Sequence, residues 1–275
     1  VNKSEFSSII KVVSGIIKLV EDPDSTANDF TKILEIAPPF TAKLLKFSNS
    51  VFYSPRKEIT DITRAIIFIG FSALKELALS QKVCEMFQKD DLIEGYTRPE
   101  LWKNSVGVAL TGKMICRREF GETGENAYIA GLLHNIGLIA EDQFLQDEFK
   151  KCLIKANSEK INLTKAESEI IGYDHTEIGE AIAIDWNFPE ELSTSIKHHH
   201  DPTGLTETFS KDASILYLAD FYCRDHGIGY SDTSDGGNDI LDICLNKLGI
   251  SFQGMELIME DVKNEIREME DQGLI

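Results

Sequence analysis

Positive charge is the first thing this sequence is short of. Lys and Arg number 28 against 46 Asp and Glu, for a formal charge of −18. Binding to a phosphate backbone runs on clustered Lys and Arg. No such patch stands out, so nucleic acid is not an expected partner. Paired cysteines are missing as well. The five, at positions 84, 116, 152, 223 and 244, are odd in number, and no two lie closer than 21 positions. Without a CxxC spacing, neither a zinc ribbon nor a redox dithiol is readable, and buried thiols in a reducing cytoplasm are the expectation. Long apolar runs are absent too. The most apolar N-terminal stretch, "IIKVVSGIIKLV", has 12 residues and two lysines, too short and too charged to span a bilayer. No cleavage signal follows it. These absences point to a soluble cytoplasmic protein with no membrane partner. A start at Val1 leaves room for an upstream segment.

What is present is helix. With 42% hydrophobic residues in 275, the chain can bury one or two sizeable cores. Nearly every long segment has the 3.6-residue period, none alternates, and no internal repeat occurs, so the fold class is all-α. Residues 6–20 carry an apolar stripe of Ile9, Val13, Ile16, Ile17 and Val20. A helix over 26–37 is stopped by Pro38 and Pro39, and a third spans about 40–48. Asp61 is placed to cap a helix with Ile62, Ala65, Ile66 and Ile69 inward; Gly70 interrupts it and Ser72 restarts it as far as Phe87. "DDLIEGYTRPE" reads as a connector, which sets domain bounds of 1–95, 96–228 and 229–275. Thr97 and Glu100 form a capping box ahead of a helix over 98–119 that Gly121 stops. Helices follow near 124–134, 137–156, 165–172, 175–187, 189–200 and 211–226. The loop "GIGYSDTSDGGND" holds Asp232, Asp235 and Asp239 but lacks EF-hand spacing, so it reads as a solvated loop. Of the two closing helices, the last (255–270) aligns Ile258, Met259, Val262, Ile266 and Met269. That stripe is expected to pack onto the chain's own core.

Function turns on polar residues that interrupt apolar faces. His134 follows Ala130, Gly131, Leu132 and Leu133. Asp220 sits in "SILYLADFYC" on a face with Leu216 and Cys223. His175 opens "HTEIGEAIAIDW", whose inward side is Ile178, Ile182 and Trp186. His198, His199 and His200 end another helix in "IKHHHDP". Five of the six histidines thus fall in this set. Imidazole together with carboxylate suits Zn, Fe, Mn or Ni. A buried, ionised Asp220 needs a cation or strong donors beside it. Two readings stay open: one divalent ion, or a hydrogen-bonded polar core in which the triplet meets its helix dipole.

The order of motifs resembles a known family. "IAPPFTAKLLKFSNSVFYSP", "ITRAIIFIGFSALKELAL", "GLLHNIG", "GYDHTEIGEAIAIDWNFPEEL", "IKHHHDP" and "LAD" follow one another over about residues 20–225 as in the HDOD domain family. That family is the regulatory, output-domain branch of the HD phosphohydrolase superfamily. The "LLKFSNSVFY" and "AIIFIGFSALKELAL" blocks set it apart from the HD-GYP phosphodiesterases, and "DPTGL" follows the histidines where those carry "GYP". The resemblance implies a multi-helix fold, an N-terminal helical subdomain packed on an HD-like helical core. It also implies a metal set, partly lost here. His134, His175, His199, His200 and Asp220 match metal ligands. Asn104 stands where a first His would be, and Asn135 replaces an Asp that would bridge two metals. Glu167 falls where such sequences often carry Glu, though with Thr164 it also reads as a capping box.

An Asn at 135 offers a neutral carbonyl and an NH₂ that repels a cation, so a binuclear hydrolytic centre is not expected and no catalytic residue is assigned. The leading expectation is a non-enzymatic, regulatory signal-transduction module of bacterial type. It would act on a signalling protein partner, through the groove between its N-terminal helices and HD-like half, with homo-oligomerisation open. A single divalent ion (Fe, Mn, Zn or Ni) at a degenerate active site is its candidate cofactor. The alternative is a residual metal-dependent phosphohydrolase acting on a nucleotide or phosphodiester, with Asp142 or Asp174 replacing the lost carboxylate. A third reading, a sensor of a small anion or nucleotide, would draw on Arg64, Arg98 and Arg117.

Overall fold

The computed structural model describes residues 95–186, 188–230 and 238–271, and among residues 25–80 only isolated positions and the helical run 64–71. The expectations for 6–20, most of 26–37 and the Asp61 and Ser72 starts lie outside these residues, as do Asp232 and Asp235. The chain divides into two compact units: Val1–Met86 with Met269–Leu274, and Phe87–Glu268 with Ile275. Among the described residues all regular structure is helical. None of these helices is long and apolar enough to cross a membrane.

In the first unit Leu44, Ile59, Ala65, Ile66 and Leu74 are buried, so two of the four inward positions expected near Asp61 are seen in place. Asn49, from the "FSNS" stretch, ties its loop together. Its amide donates to the carbonyls of Leu45 and Ile59, both at 2.8 Å, and its Oδ1 accepts the Ile59 amide at 2.9 Å. A buried turn without such a partner would leave the Ile59 backbone unsatisfied.

The second unit is a succession of helices: α1 Arg98–Ile115, α2 Glu125–Leu133, α3 Ile136–Phe144, α4 Gln146–Glu159, α5 Leu163–Ile170, α6 His175–Asp185, α7 Glu190–Lys197, α8 Glu207–Asp225, α9 Asn238–Leu248 and α10 Phe252–Asp271. Thr97 starts α1 as expected, its Oγ1 accepting the Glu100 amide at 3.3 Å. The far end differs from the expected uniform helix. After Ile115 the chain widens into a π-helical turn, Cys116–Phe120, before Gly121 stops it at φ +67. The single helix expected over 137–156 is two. Leu145 leaves helical geometry at φ −133, and α4 restarts with Asp147 and Glu148 in its first turn, where the helix dipole favours them. The expected Thr164–Glu167 capping box is also corrected. Asn162 precedes α5, and Glu167 points into the core with no exposed surface.

The apolar stripe of α10 packs onto its own unit. Met255, Ile258, Met259 and Val262 have no exposed surface, and Thr111 Oγ1 on α1 donates to Met259 Sδ at 3.7 Å. The four described cysteines, Cys116, Cys152, Cys223 and Cys244, are free and buried. Burial pushes the Cys223 thiol up to about 12, so it stays protonated and inert.

Two glycines set the helix spacing around the later argument. A Cβ on Gly131 would lie 2.5 Å from Ala109 backbone atoms, so α2 rests directly on α1. A Cβ on Gly137 would lie 1.9 Å from the His175 carbonyl oxygen, so α3 meets the first turn of α6 backbone to backbone. Added carbon there must push two helices apart, and overpacking of this kind costs about 3 kcal/mol. Gly137→Ala is expected to destabilise the protein by about that amount in urea unfolding, whereas Gly204→Ala, with nothing within 4 Å of the new carbon, stays within about 1 kcal/mol of wild type.

Candidate metal centre

Four of the histidines meet in the core because four helix ends meet there. Asn135 (φ −99, ψ 19) breaks the chain between α2 and α3 and leaves His134 at the C-terminal end of α2. Asp174 caps α6 with a complete capping box to Glu177, which fixes His175 as the first helical residue. His198 ends α7, and the next two residues turn inward. His134, His175 and His199 have no exposed surface, Asp220 on α8 keeps 2%, and His200 is half-buried.

Three of the rings, those of His134, His175 and His199, are held by their Nδ1. His134 Nδ1 lies 2.8 Å from the Gly131 carbonyl, and His199 Nδ1 lies 2.7 Å from the Ile196 carbonyl, in both cases three residues back along the same helix. A carbonyl only accepts, so Nδ1 carries the proton on both rings and also satisfies a last-turn carbonyl. His175 Nδ1 lies 2.8 Å from Glu167 Oε2, which also accepts the His175 backbone amide at 3.0 Å. A carboxylate behind an imidazole is the arrangement that orients metal-ligating histidines and raises their basicity.

The Nε2 atoms therefore face one another. Those of His175 and His200 are 3.1 Å apart, and the ligand nitrogens of His175, His199 and His200 all lie within 4.8 Å of one another. The ring centroids of His134 and His199 are 5.0 Å apart. His134 Nε2 and His199 Nε2 are buried without a hydrogen-bond partner. Burial first, then the neighbouring imidazoles, holds His199 and His200 well below the usual histidine value. Burial likewise lowers His134, against the opposing pull of Asp220. Buried neutral imidazoles gathered this closely are the kind of donor set that a divalent ion takes at about 2.0–2.1 Å per nitrogen. The residues fit one ion held by His175, His199 and His200, with His134 adjoining.

Asp220 stands at the edge of this set. Its Oδ1 is 3.7 Å from His134 Nε2, and its Oδ2 is 3.0 Å from Arg224 Nε, one helical turn on. Arg224 is the cation that a buried carboxylate at 220 requires, and the i,i+4 spacing made it findable from the sequence. Asn135 is buried beside His134 but makes no capping hydrogen bond with its side chain. Asn104 on α1 directs its amide to the Ile228 carbonyl at 3.3 Å. The carboxylates considered as replacements are occupied elsewhere. Asp142 is ion-paired with the buried Arg98, and Asp174 holds the Thr176 and Glu177 amides. The same pairing removes Arg98 from any anion pocket, while Arg117 and Arg64 are exposed.

Sequence reasoning missed Glu141. It is wholly buried near Glu167, and neither of its oxygens has a hydrogen-bond partner. Burial, and then the charge on Glu167, pushes its carboxyl up to about 9. Its signal was an acid in the apolar run "NIGLIAED".

Comparison with known proteins agrees with this architecture. The family model described as HDOD domain matches residues 7–202. An uncharacterized protein of Treponema pallidum is 26% identical over 216 residues, which is 76% of this chain and 40% of that protein. This chain therefore spans less than half the length of that relative. The crystal structure of an HDOD domain protein of unknown function from Geobacter sulfurreducens has 28% identity and a TM-score of 0.77, covering 95% of this chain and 90% of that one. A phosphohydrolase candidate from Shewanella amazonensis has the same fold at 24% identity, with a TM-score of 0.74 and coverage of 95% and 93%.

The proton on Glu141 has a measurable consequence. The unfolded chain releases it near the ordinary value of 4.5, the folded chain near 9, so in between the folded state holds the extra proton and stability falls as pH rises. The lowered histidines act with the opposite slope, but only below their ordinary value of 6.5. Between about pH 7 and 8 the chelated protein is expected to lose roughly 1.4 kcal/mol of unfolding free energy per pH unit. Glu141→Gln should flatten that slope in urea titrations at each pH.

Proposed function

We propose, since this chain belongs to the HDOD domain family, that it is a non-catalytic bacterial signal-transduction module. It acts by binding a protein partner, and its histidine centre is structural or sensory. The family is related to the HD metal-dependent phosphohydrolases, so the question is what separates this centre from a hydrolytic one.

The burial of the donor set carries the reading. A hydrolytic ion must be reached by a phosphodiester and must keep a position open for water. Here His134, His175 and His199 have no exposed surface, and of the four only His200 is partly exposed. The charge balance supports the same reading. Asn135 contributes no negative charge, and Glu167 and Asp220 are each held by a partner. An ion bound there would supply cross-linking of α6 to the end of α7, and its binding energy would add to folding. The chain's own residues do the rest. Glu167 orients His175, the Gly131 and Ile196 carbonyls orient His134 and His199, and the buried Leu132, Leu133 and Ile196 pack around the rings' helix ends. The net charge of −18 favours a protein partner over nucleic acid.

A residual phosphohydrolase is the second reading, favoured by the unpartnered Nε2 atoms of His134 and His199. Hydrolysis of bis(p-nitrophenyl) phosphate and of a cyclic dinucleotide, with Mn²⁺, Fe²⁺, Zn²⁺ or Ni²⁺ supplied, separates the two. Wild type and His134→Ala are expected to give the same rate within about twofold. A loss of tenfold or more in His134→Ala, equivalent to about 1.4 kcal/mol of transition-state stabilisation, would establish the hydrolase instead. Chelation of the metal-loaded protein is expected to lower its melting temperature by several degrees, as loss of a ligand that binds only the folded state requires.

A further inference from the structure

The contact between Asp220 and Arg224 carries a further inference, resting on the reading of the histidines as an ion site. Asp220 is the acidic residue nearest to His134, and one of its oxygens faces the His134 Nε2. Its other oxygen is ion-paired at 3.0 Å with the Nε of Arg224, whose side chain is only 10% exposed, without the alignment of a hydrogen bond. We propose that Arg224 is the specificity-determining residue of the centre: by pairing with Asp220 it withdraws a carboxylate from the donor set and leaves a site made of imidazole nitrogens.

The chemistry follows from donor softness and charge. Neutral imidazoles select borderline ions such as Ni²⁺, Zn²⁺ and Co²⁺, whereas Mg²⁺, Ca²⁺ and, to a large extent, Mn²⁺ require oxygen donors. An ionised Asp220 with no counter-charge would supply one such donor and one negative charge at the edge of the cluster. Arg224 removes the charge without protonating the acid, since a guanidinium keeps its proton throughout the accessible pH range. Its field also reaches the rings, where it adds to the lowering of His134, His199 and His200. A fixed positive charge of this kind opposes a second cation beside the first. The centre is therefore built for one ion of the nitrogen-preferring class, and the selection resides in a residue that is not itself a ligand.

The test uses the full chain, tag-free and chelator-stripped, titrated calorimetrically with Ni²⁺ and with Mn²⁺ while the melting temperature is followed. Wild type is expected to bind one equivalent of Ni²⁺ and to take up Mn²⁺ at least about a hundredfold more weakly, in keeping with the Irving–Williams order and the donor set. Arg224→Gln is expected to raise Mn²⁺ affinity by about tenfold or more, because the released carboxylate becomes a donor. Arg224→Gln strands a buried charge and risks unfolding, so the charge-balanced double variant Asp220→Asn/Arg224→Gln is measured beside it. Its Ni²⁺ affinity is expected within about threefold of wild type, and it should show no gain for Mn²⁺. A tenfold or greater loss of Ni²⁺ affinity in the double variant would mean that Asp220 already ligates in the wild type, and the proposal would be wrong. A folded Arg224→Gln that gains nothing for Mn²⁺ while wild type still binds Ni²⁺ would overturn it too, leaving the histidine site intact. If wild type binds no ion and Arg224→Gln binds both, the assignment of Arg224 stands and the ion site in the wild type falls. If no form binds either ion, both fall.

Discussion

The core of the second unit depends on where three protons sit. Gly131, Ile196 and Glu167 each accept from an imidazole Nδ1, and that choice leaves the Nε2 of His134, His199 and His175 without a proton. Reverse the tautomer and the Gly131 and Ile196 carbonyls would each face a ring lone pair, and both hydrogen bonds would be lost. Burying several polar rings together is tolerable only when one end of each is satisfied. Here the satisfied ends are backbone carbonyls of helix last turns and a buried carboxylate. Helix termination and site chemistry are thus one arrangement: the residue that closes α2, and the one two positions beyond the end of α7, also aim a lone pair inward.

Much of this was legible in the sequence. The 3.6-residue period placed α1 to α8 and α10 to within a few residues, except for the break at Leu145 and the π-helical turn at Cys116, and it counted α9 without bounding it. The break at Leu145 has no proline or glycine to announce it, and the mid-helix Gly112 ahead of Cys116 does not by itself signal a π-helical turn. The histidines were legible because they interrupt apolar runs, and the meeting of His175, His199 and His200 follows from placing their helix ends together. The carboxylates were harder. Glu167 fits a capping pattern with Thr164 as well as it fits the core, and only the actual start of α5 decides between them. Asp142 and Arg98 lie 44 positions apart, and nothing local links them. Arg224 was within reach, since a buried aspartate demands a counter-charge and the residue four positions on supplies it.

The polar residues of the second unit fall into two kinds of partnership. Arg98 with Asp142 and Asp220 with Arg224 are ion pairs, each neutral in sum. Glu141 with Glu167 is a pair of acids, where one proton must be retained for the pair to be buried at all. Breaking an ion pair strands a charge, whereas removing the proton from the acid pair creates one. The proton of the acid pair is the one that a rise in pH toward about 9 removes.

The absent side chain at Gly137 has a kinematic consequence. With α3 seated directly on the carbonyl of His175, there is no rotamer between the two backbones to absorb a displacement. A sliding motion of α6 along α3 would need the backbones to separate first. The pair moves as one rigid lever, with Asn135 and His175 carried together. His199 and His200 follow α7, whose Ile196 side chain lies 2.8 Å from the position a Cβ on Gly179 of α6 would take. Between α6 and α7, by contrast, the close approach is to the Ile196 side chain, so any displacement of the histidines relative to one another falls on a rotamer rather than on two backbones.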